Sequence, residues 1–125
     1  TEEDTKELVD MVKSHLSNQD IAVKAERFKS GKIPAIINVE EFMRRMSEMN
    51  GFYGMDETDS TKNATLVLNL TNPIIAGLLT QPEEKQKVIV NQVYYMAMLS
   101  YKKLSPDELS DFMAKSAELL YEYSK

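Results

Sequence analysis

Residues 88–99 read VIVNQVYYMAML, and this stretch decides the fold because apolar side chains surround it on nearly every side. A surface helix of a globular protein needs an apolar stripe only about 100° wide. A helix with this sequence must therefore be covered on more than one side. Thr80 and Glu83 flank Pro82 in a pattern typical of a helix-opening capping box. The sequence thus predicts a long helix from Pro82 to about Tyr101.

A second amphipathic helix follows after a short link. Ser105 and Glu108 form the same capping pattern around Pro106, and the helical period then continues to about Tyr123. Because the link is short, the two helices should pack side by side. Residues 82–125 are therefore expected to form an antiparallel helical hairpin.

This hairpin has more apolar surface than a chain of 125 residues can cover by itself. One apolar side is buried where the two helices meet, and a second packs on a small sheet. A third apolar side of the hairpin stays uncovered. Each large side chain buried there would contribute ~1.5–3 kcal/mol. We expect a second copy to cover this side and form a four-helix-bundle homodimer; a monomeric α+β adaptor domain that binds another protein is the alternative. The predicted interface residues are Ile89, Val93, Tyr94, Met96, Met98, Leu109, Phe112, Met113, Leu119 and Leu120.

The first part of the chain predicts a small three-stranded sheet. The strands are expected over residues 21–28, 33–37 and 64–70, where apolar and β-branched residues dominate. An amphipathic helix over residues 3–16 precedes them. The first two strands are joined by a turn at Gly31, and we expect them to pair as a β-hairpin.

Asn72 followed by Pro73 predicts the start of a short helix that reaches Leu79. The fold class is therefore α+β: a small three-stranded sheet with amphipathic helices, ending in the helical hairpin. We expect one domain, in which residues 1–81 form the α/β part and residues 82–125 form the dimerising hairpin.

Between the second and third strands lies a segment rich in methionine. Residues 39–50 have a helical period, and the polar segment 51–63 that follows is expected to be mobile. Methionine side chains are flexible and polarizable, which suits a surface that binds varied partners. The sequence predicts an exposed methionine patch that contacts other proteins; a core helix with methionine as filler is the alternative. The patch consists of Phe42, Met43, Met46, Met49, Phe52 and Tyr53.

Composition argues against several function classes. The net charge of -5 and the pI of about 4.9 disfavour nucleic acid and anionic membrane surfaces as partners. The chain has no cysteine, which excludes disulfides, thiolate metal sites and cysteine nucleophiles and is compatible with a reducing, cytosolic compartment. The single histidine, His15, has no partner at metal-ligand spacing. We expect no catalytic residues, no cofactor and no metal in this chain.

The order of several motifs resembles the C-terminal domain of the heat-shock protein 90 chaperones. Arg27 and Phe28 are followed by IPAII at residues 33–37 and then by the methionine-bearing helix. Residues 68–74 read LNLTNPI, which is similar to that family's entry to a short helix. The resemblance covers nearly the whole chain, and it depends on the ordered combination and not on any single motif.

The resemblance implies an ATP-dependent chaperone that assists protein folding in the cytoplasm and in the stress response. ATP and Mg²⁺ would bind an N-terminal domain, with a middle domain after it, and this chain would be the dimerisation and client-contact domain. The methionine patch would then bind partly folded client proteins. The chain begins at Thr1 and ends at Lys125 without the acidic tail of eukaryotic cytosolic members. We therefore expect a fragment of a bacterial member of the high-temperature protein G type.

Replacing Met43→Ser together with Met46→Ser is expected to weaken binding of a permanently unfolded protein and to leave the fold intact. The reason is that both side chains are predicted to lie on an exposed patch. Fluorescence anisotropy of the labelled unfolded protein measures the binding. A large drop in the melting temperature of the double variant would instead place these methionines in the core.

Overall fold

The computed structural model describes residues 1–39 and 64–125, and in these ranges the chain is α+β as expected. The methionine patch and the polar segment 51–63 lie outside the described residues. The elements are helix α1 (Glu2–His15), strands β1 (Ala22–Glu26), β2 (Ala35–Val39) and β3 (Ala64–Asn69), helix α2 (Pro73–Ala76), a 3-10 turn (Leu78–Thr80), helix α3 (Glu83–Tyr101) and helix α4 (Pro106–Tyr123).

The strands form one mixed sheet in the order β1-β3-β2. Strand β1 runs parallel to β3, with Val23 opposite Leu66, and β2 runs antiparallel to it, with Ile37 opposite Leu66. The predicted β-hairpin between the first two strands is therefore wrong, because β3 lies between them. All six residues of β3 are buried, whereas residues of β1 alternate between exposed and half-buried. The central position suits such a strand because a neighbouring strand covers each of its two edges.

The core lies between one face of this sheet, helix α1 and helix α3. Leu66 and Leu68 of the central strand point into it, and α1 contributes Leu8 and Val12. Because α3 crosses this face, one side of its apolar run is buried within the chain itself. The core residues of α3 are Val90, Val93, Tyr94, Tyr95, Ala97 and Met98.

Two of the predicted helix caps are confirmed. At the start of α4, Ser105 Oγ accepts from the Glu108 backbone N–H at 3.2 Å, and Glu108 Oε1 accepts from the Ser105 N–H at 3.0 Å. At the start of α2, Asn72 Oδ1 accepts from the Ile74 N–H at 2.9 Å. Helix α2 ends at Ala76, earlier than predicted, and a 3-10 turn continues the segment.

The predicted capping box at Thr80 is wrong. The Thr80 hydroxyl donates to the Gly77 carbonyl at 2.8 Å and so belongs to the preceding 3-10 turn. Helix α3 begins only at Glu83, and its capping position is taken by Pro82, whose side chain carries no acceptor. The extended conformation of Pro82, with ψ of 150°, separates the turn from the helix.

A buried amide at the end of β3 contributes four hydrogen bonds in and around the loop between β1 and β2. Asn69 is fully buried, and its Nδ2 donates to the carbonyls of Ser30 and Ile33, each at 2.8 Å. Its Oδ1 accepts from the N–H groups of Phe28 at 3.2 Å and Thr71 at 2.9 Å. The side chain thereby uses its full hydrogen-bonding capacity on four backbone groups. The loop between β1 and β2 is therefore fixed to β3, the strand that lies between them in the sheet.

Replacing Asn69→Ala is expected to lower the free energy of unfolding by about 3 kcal/mol, because four backbone groups lose their partner at once. Urea denaturation followed by circular dichroism measures the change. Asn38→Ala, at an exposed position of β2, is the matched control and should cost no more than about 0.5 kcal/mol. Equal losses for the two variants would contradict the role of Asn69.

Candidate functional site

Helices α3 and α4 pack antiparallel, which confirms the predicted hairpin. Gln92 Nε2 donates to Ser116 Oγ at 2.6 Å, and the Tyr95 hydroxyl donates to Asp111 Oδ2 at 2.6 Å. The rings of Tyr95 and Phe112 meet edge to face, with centroids 6.1 Å apart. Later residues of α3 thus meet earlier residues of α4. These side chains form the seam between the two helices.

Three of the predicted interface residues are not on a surface. Val93, Tyr94 and Met98 are buried in the chain's own core, and the latter two have no exposed surface at all. The Tyr94 hydroxyl also accepts a hydrogen bond from Asn18 Nδ2 at 3.0 Å, next to the end of α1. The prediction fails for these three residues because an almost wholly apolar helix does not reveal which of its sides faces the sheet.

Three further predicted residues are exposed on one side of α4. Leu109, Met113 and Leu120 are 46%, 59% and 70% exposed, and every residue of this helix is at least partly exposed. Their spacings of four and seven residues place them within an arc of about 40° around the helix axis. Helix α4 therefore carries an apolar stripe that the described residues do not cover.

The neighbouring helix adds two more exposed apolar side chains. Met96, which the sequence predicted, and Leu99, which it did not, are each about half exposed. Met96 and Leu99 come after Tyr95 on α3, and the ring of Tyr95 contacts Phe112 on α4. Because the helices are antiparallel, Met96 and Leu99 therefore lie beside the first half of α4. We call these five residues the exposed apolar face: Met96, Leu99, Leu109, Met113 and Leu120. Clustered exposure of this kind is typical of an interaction surface.

The remaining predicted residues are Ile89, Phe112 and Leu119, and all three are half-buried. Phe112 packs in the seam, whereas Ile89 and Leu119 lie in the floor of an open cleft of about 310 Å³ at the far end of the hairpin. The cleft is lined by Glu84, Lys85, Val88, Ile89, Glu118, Leu119 and Glu122. Its floor is apolar and its rim is mainly acidic.

A tyrosine–carboxylate pair fixes the seam. Asp111 accepts from the Tyr95 hydroxyl at one carboxylate oxygen and from Lys115 Nζ, at 2.7 Å, at the other. Burial, together with the bond to Asp111, raises the pKa of Tyr95 to about 12. The bonds from Lys115 and Tyr95 lower the pKa of the Asp111 carboxyl. At neutral pH the pair is a neutral donor facing an ionised acceptor.

Two buried amides in helix α3 were not recognised as functional residues in the sequence. Asn91 Oδ1 accepts from the Ser17 N–H at 3.0 Å, and Asn91 Nδ2 donates to the His15 carbonyl at 2.9 Å, so this side chain holds the end of α1. Gln92 lies in the seam, and its Oε1 is buried without a donor among the described residues. Their position in the sequence could have indicated such a role, because Asn91 and Gln92 are the two amides in the otherwise apolar run 88–99.

No family model matches the chain, and the search of curated proteins found no match. Within residues 1–39 and 64–125, the helices are too short or too polar to cross a membrane. The same ranges hold no group of three or more His, Asp or Glu side chains placed to bind a metal ion.

Replacing Tyr95→Phe is expected to weaken the loss of stability in alkaline solution. Folding raises the pKa of Tyr95 from 10.0 to about 12, so its contribution is complete below pH 10 and is lost as the pH rises through 12. Urea denaturation midpoints measured from pH 9 to pH 12 should therefore fall less steeply in the variant. Tyr123→Phe, at a site that is 91% exposed, is the control and should follow the parent chain. Parallel curves for all three proteins would contradict the prediction.

Proposed function

We propose that this chain is the dimerisation and client-contact domain of a cytoplasmic, ATP-dependent chaperone of the heat-shock protein 90 family. The observation that carries the proposal is the exposed apolar face on the terminal helical hairpin. The ordered motifs in residues 27–37 and 68–74 support the family assignment. The partners would be a second copy of the chain and partly folded proteins.

The packing of helix α4 supports self-association. This helix touches the rest of the described chain mainly through its seam with α3, and the flank beside the seam is exposed and apolar. Large side chains such as Met113 and Leu120 gain ~1.5–3 kcal/mol each when a partner removes them from water. A four-helix bundle made of two hairpins would cover them while leaving the sheet and the core unchanged.

The order of side chains along α4 favours a second copy over an unrelated partner. The exposed stripe has a leucine at each end, Leu109 and Leu120, with Met113 and Ala117 between them. A two-fold axis across this stripe would place the apolar side chains of one copy against the same apolar side chains of the other. Isologous dimers require this self-complementarity.

In the proposed chaperone, nucleotide chemistry belongs to other domains. This chain would keep two protomers together, so that two ATP-binding domains remain close to each other. Client contact is assigned to the methionine patch: Phe42, Met43, Met46, Met49, Phe52 and Tyr53. That assignment stays a prediction from the sequence, since these residues lie outside the described ranges.

Replacing Met113→Glu together with Leu120→Glu is expected to convert a dimer into a monomer of 14.3 kDa. Four apolar side chains per dimer become charged, so the dissociation constant should rise by more than about 100-fold. Sedimentation velocity over a concentration series measures this change. The melting temperature extrapolated to low concentration should stay close to that of the parent chain, because both side chains are exposed in the monomer.

Ala114→Glu is the matched control, because this exposed residue lies on α4 away from the stripe. It should dimerise like the parent chain. A parent chain that sediments at 14.3 kDa at tens of micromolar would contradict the dimer and favour the monomeric adaptor.

A further inference from the structure

The cleft at the far end of the helical hairpin combines an apolar floor with an acidic rim. Its volume is about 310 Å³, and half-buried Val88, Ile89 and Leu119 form the floor. We propose that this cleft binds a basic amphipathic helix of a partner protein, with apolar side chains on the floor and Lys or Arg at the rim. The inference does not depend on the dimer proposed above.

The shape of the cleft suits a helix. One wall is formed by residues 84–89 of α3 and the other by residues 118–122 of α4, so each wall follows its helix for more than one turn. An amphipathic helix places apolar side chains at similar spacings along a groove of this kind. The volume is near the lower limit of about 300 Å³ for small-molecule pockets, so a few apolar side chains of a partner helix fill it.

The rim carries negative charge that the cleft itself does not balance. Glu84 from α3 and Glu118 from α4 are exposed, and neither forms a salt bridge with any residue of the described ranges. Glu122 pairs with Lys125 at 3.2 Å, at the exposed end of the chain. Lys85 also lines the cleft, but it pairs with none of these three carboxylates. Cationic side chains of a partner would supply the missing counter-charge.

The end of helix α4 adds to the negative potential at this rim. The helix ends at Tyr123, and its last turn contains Glu122 but no basic residue. The C-terminus of a helix carries roughly half of a negative elementary charge, which favours cations nearby. A lysine or arginine that approaches Glu118 and Glu122 therefore interacts favourably with the carboxylates and with the helix dipole.

The acidic side of the cleft lies away from the exposed apolar face. Glu118 precedes Leu120 by two residues and Glu122 follows it by two, so each lies about 160° from Leu120 around the helix axis. A partner helix can thus occupy the cleft while a second copy covers the exposed apolar face. The net charge of -5 also disfavours a second copy at an acidic rim, because like charges repel across an interface.

A pair of model peptides tests the inference on the full chain. The probe has about 14 residues, with leucine on one helical face and lysine on the other, and it carries a fluorescent label. The comparison peptide has glutamate in place of every lysine and keeps the same apolar face. Fluorescence anisotropy measures the binding. We expect the leucine–lysine peptide to bind and the leucine–glutamate peptide not to bind.

Variants of the rim show whether the lysine peptide binds in the cleft. Glu84→Gln together with Glu118→Gln is expected to raise its dissociation constant by about fivefold, because two rim charges are lost. Glu2→Gln together with Glu3→Gln is the matched control, since it changes the net charge equally at exposed positions of α1. The control should stay within about twofold of the parent chain, because distant surface charges are screened by salt.

Variants of the floor test the apolar contribution. Leu119→Gln is expected to raise the dissociation constant of the lysine peptide by about tenfold or more, because a polar side chain replaces an apolar one under the peptide. Val88→Thr keeps the shape of the side chain and should weaken binding in the same direction. It serves as the readout if the Leu119 variant does not fold.

Four results would overturn the inference. They are absence of binding, equal binding of the two peptides, equal weakening by the rim variant and the α1 control, and floor variants that bind like the parent chain. Binding that falls as the protein concentration rises would place a second copy in the cleft and also overturn it. The dimer is tested by sedimentation and stands or falls independently of these results.

Discussion

Burial of helix α3 is the constraint on which the other elements depend. One side of this helix packs on the sheet and α1 through fully buried side chains such as Tyr94 and Met98, and another side packs on α4 through Tyr95 and Gln92. Asn91 connects α3 to the end of α1 by hydrogen bonds to backbone groups. The sheet, the first helix and the last helix are thus all positioned by contacts with this one segment. A helix with fewer apolar sides would have needed fewer neighbours.

Much of this arrangement could be predicted from local sequence signals. The period of the apolar residues indicated helices α1, α3 and α4, and the capping residues Asn72 and Ser105 marked two helix starts correctly. Such signals are reliable because they depend on neighbours in the chain. The strand order depends on distant segments, and the simple rule that adjacent strands form a hairpin led to the wrong pairing. The apolar run in β3, which is buried on both faces, is the feature that would have indicated a central strand.

The interaction surface was predicted only in outline, for a related reason. A helix that is apolar nearly all round predicts that several layers cover it, but the sequence does not assign a layer to each side. Val93, Tyr94 and Met98 therefore looked like interface residues although they belong to the core. Helix α4 has a narrower apolar arc, and Leu109, Met113 and Leu120, which the sequence assigned to the dimer interface, are exposed. Thr80 was misassigned because a proline two residues later moved the start of the helix.

The strand order also has a consequence for the time course of folding. Strands β1 and β2 are close in sequence, but they are not paired with each other in the sheet. Ala22 of β1 pairs instead with Thr65 of β3. During synthesis the first two strands therefore emerge with no partner for their backbone groups until residues 64–69 have left the ribosome. Sheet formation in this chain is a late and non-local event, and its rate is set by closing long loops. Asn69, the last residue of β3, then binds the loop between β1 and β2, which was synthesised well before it.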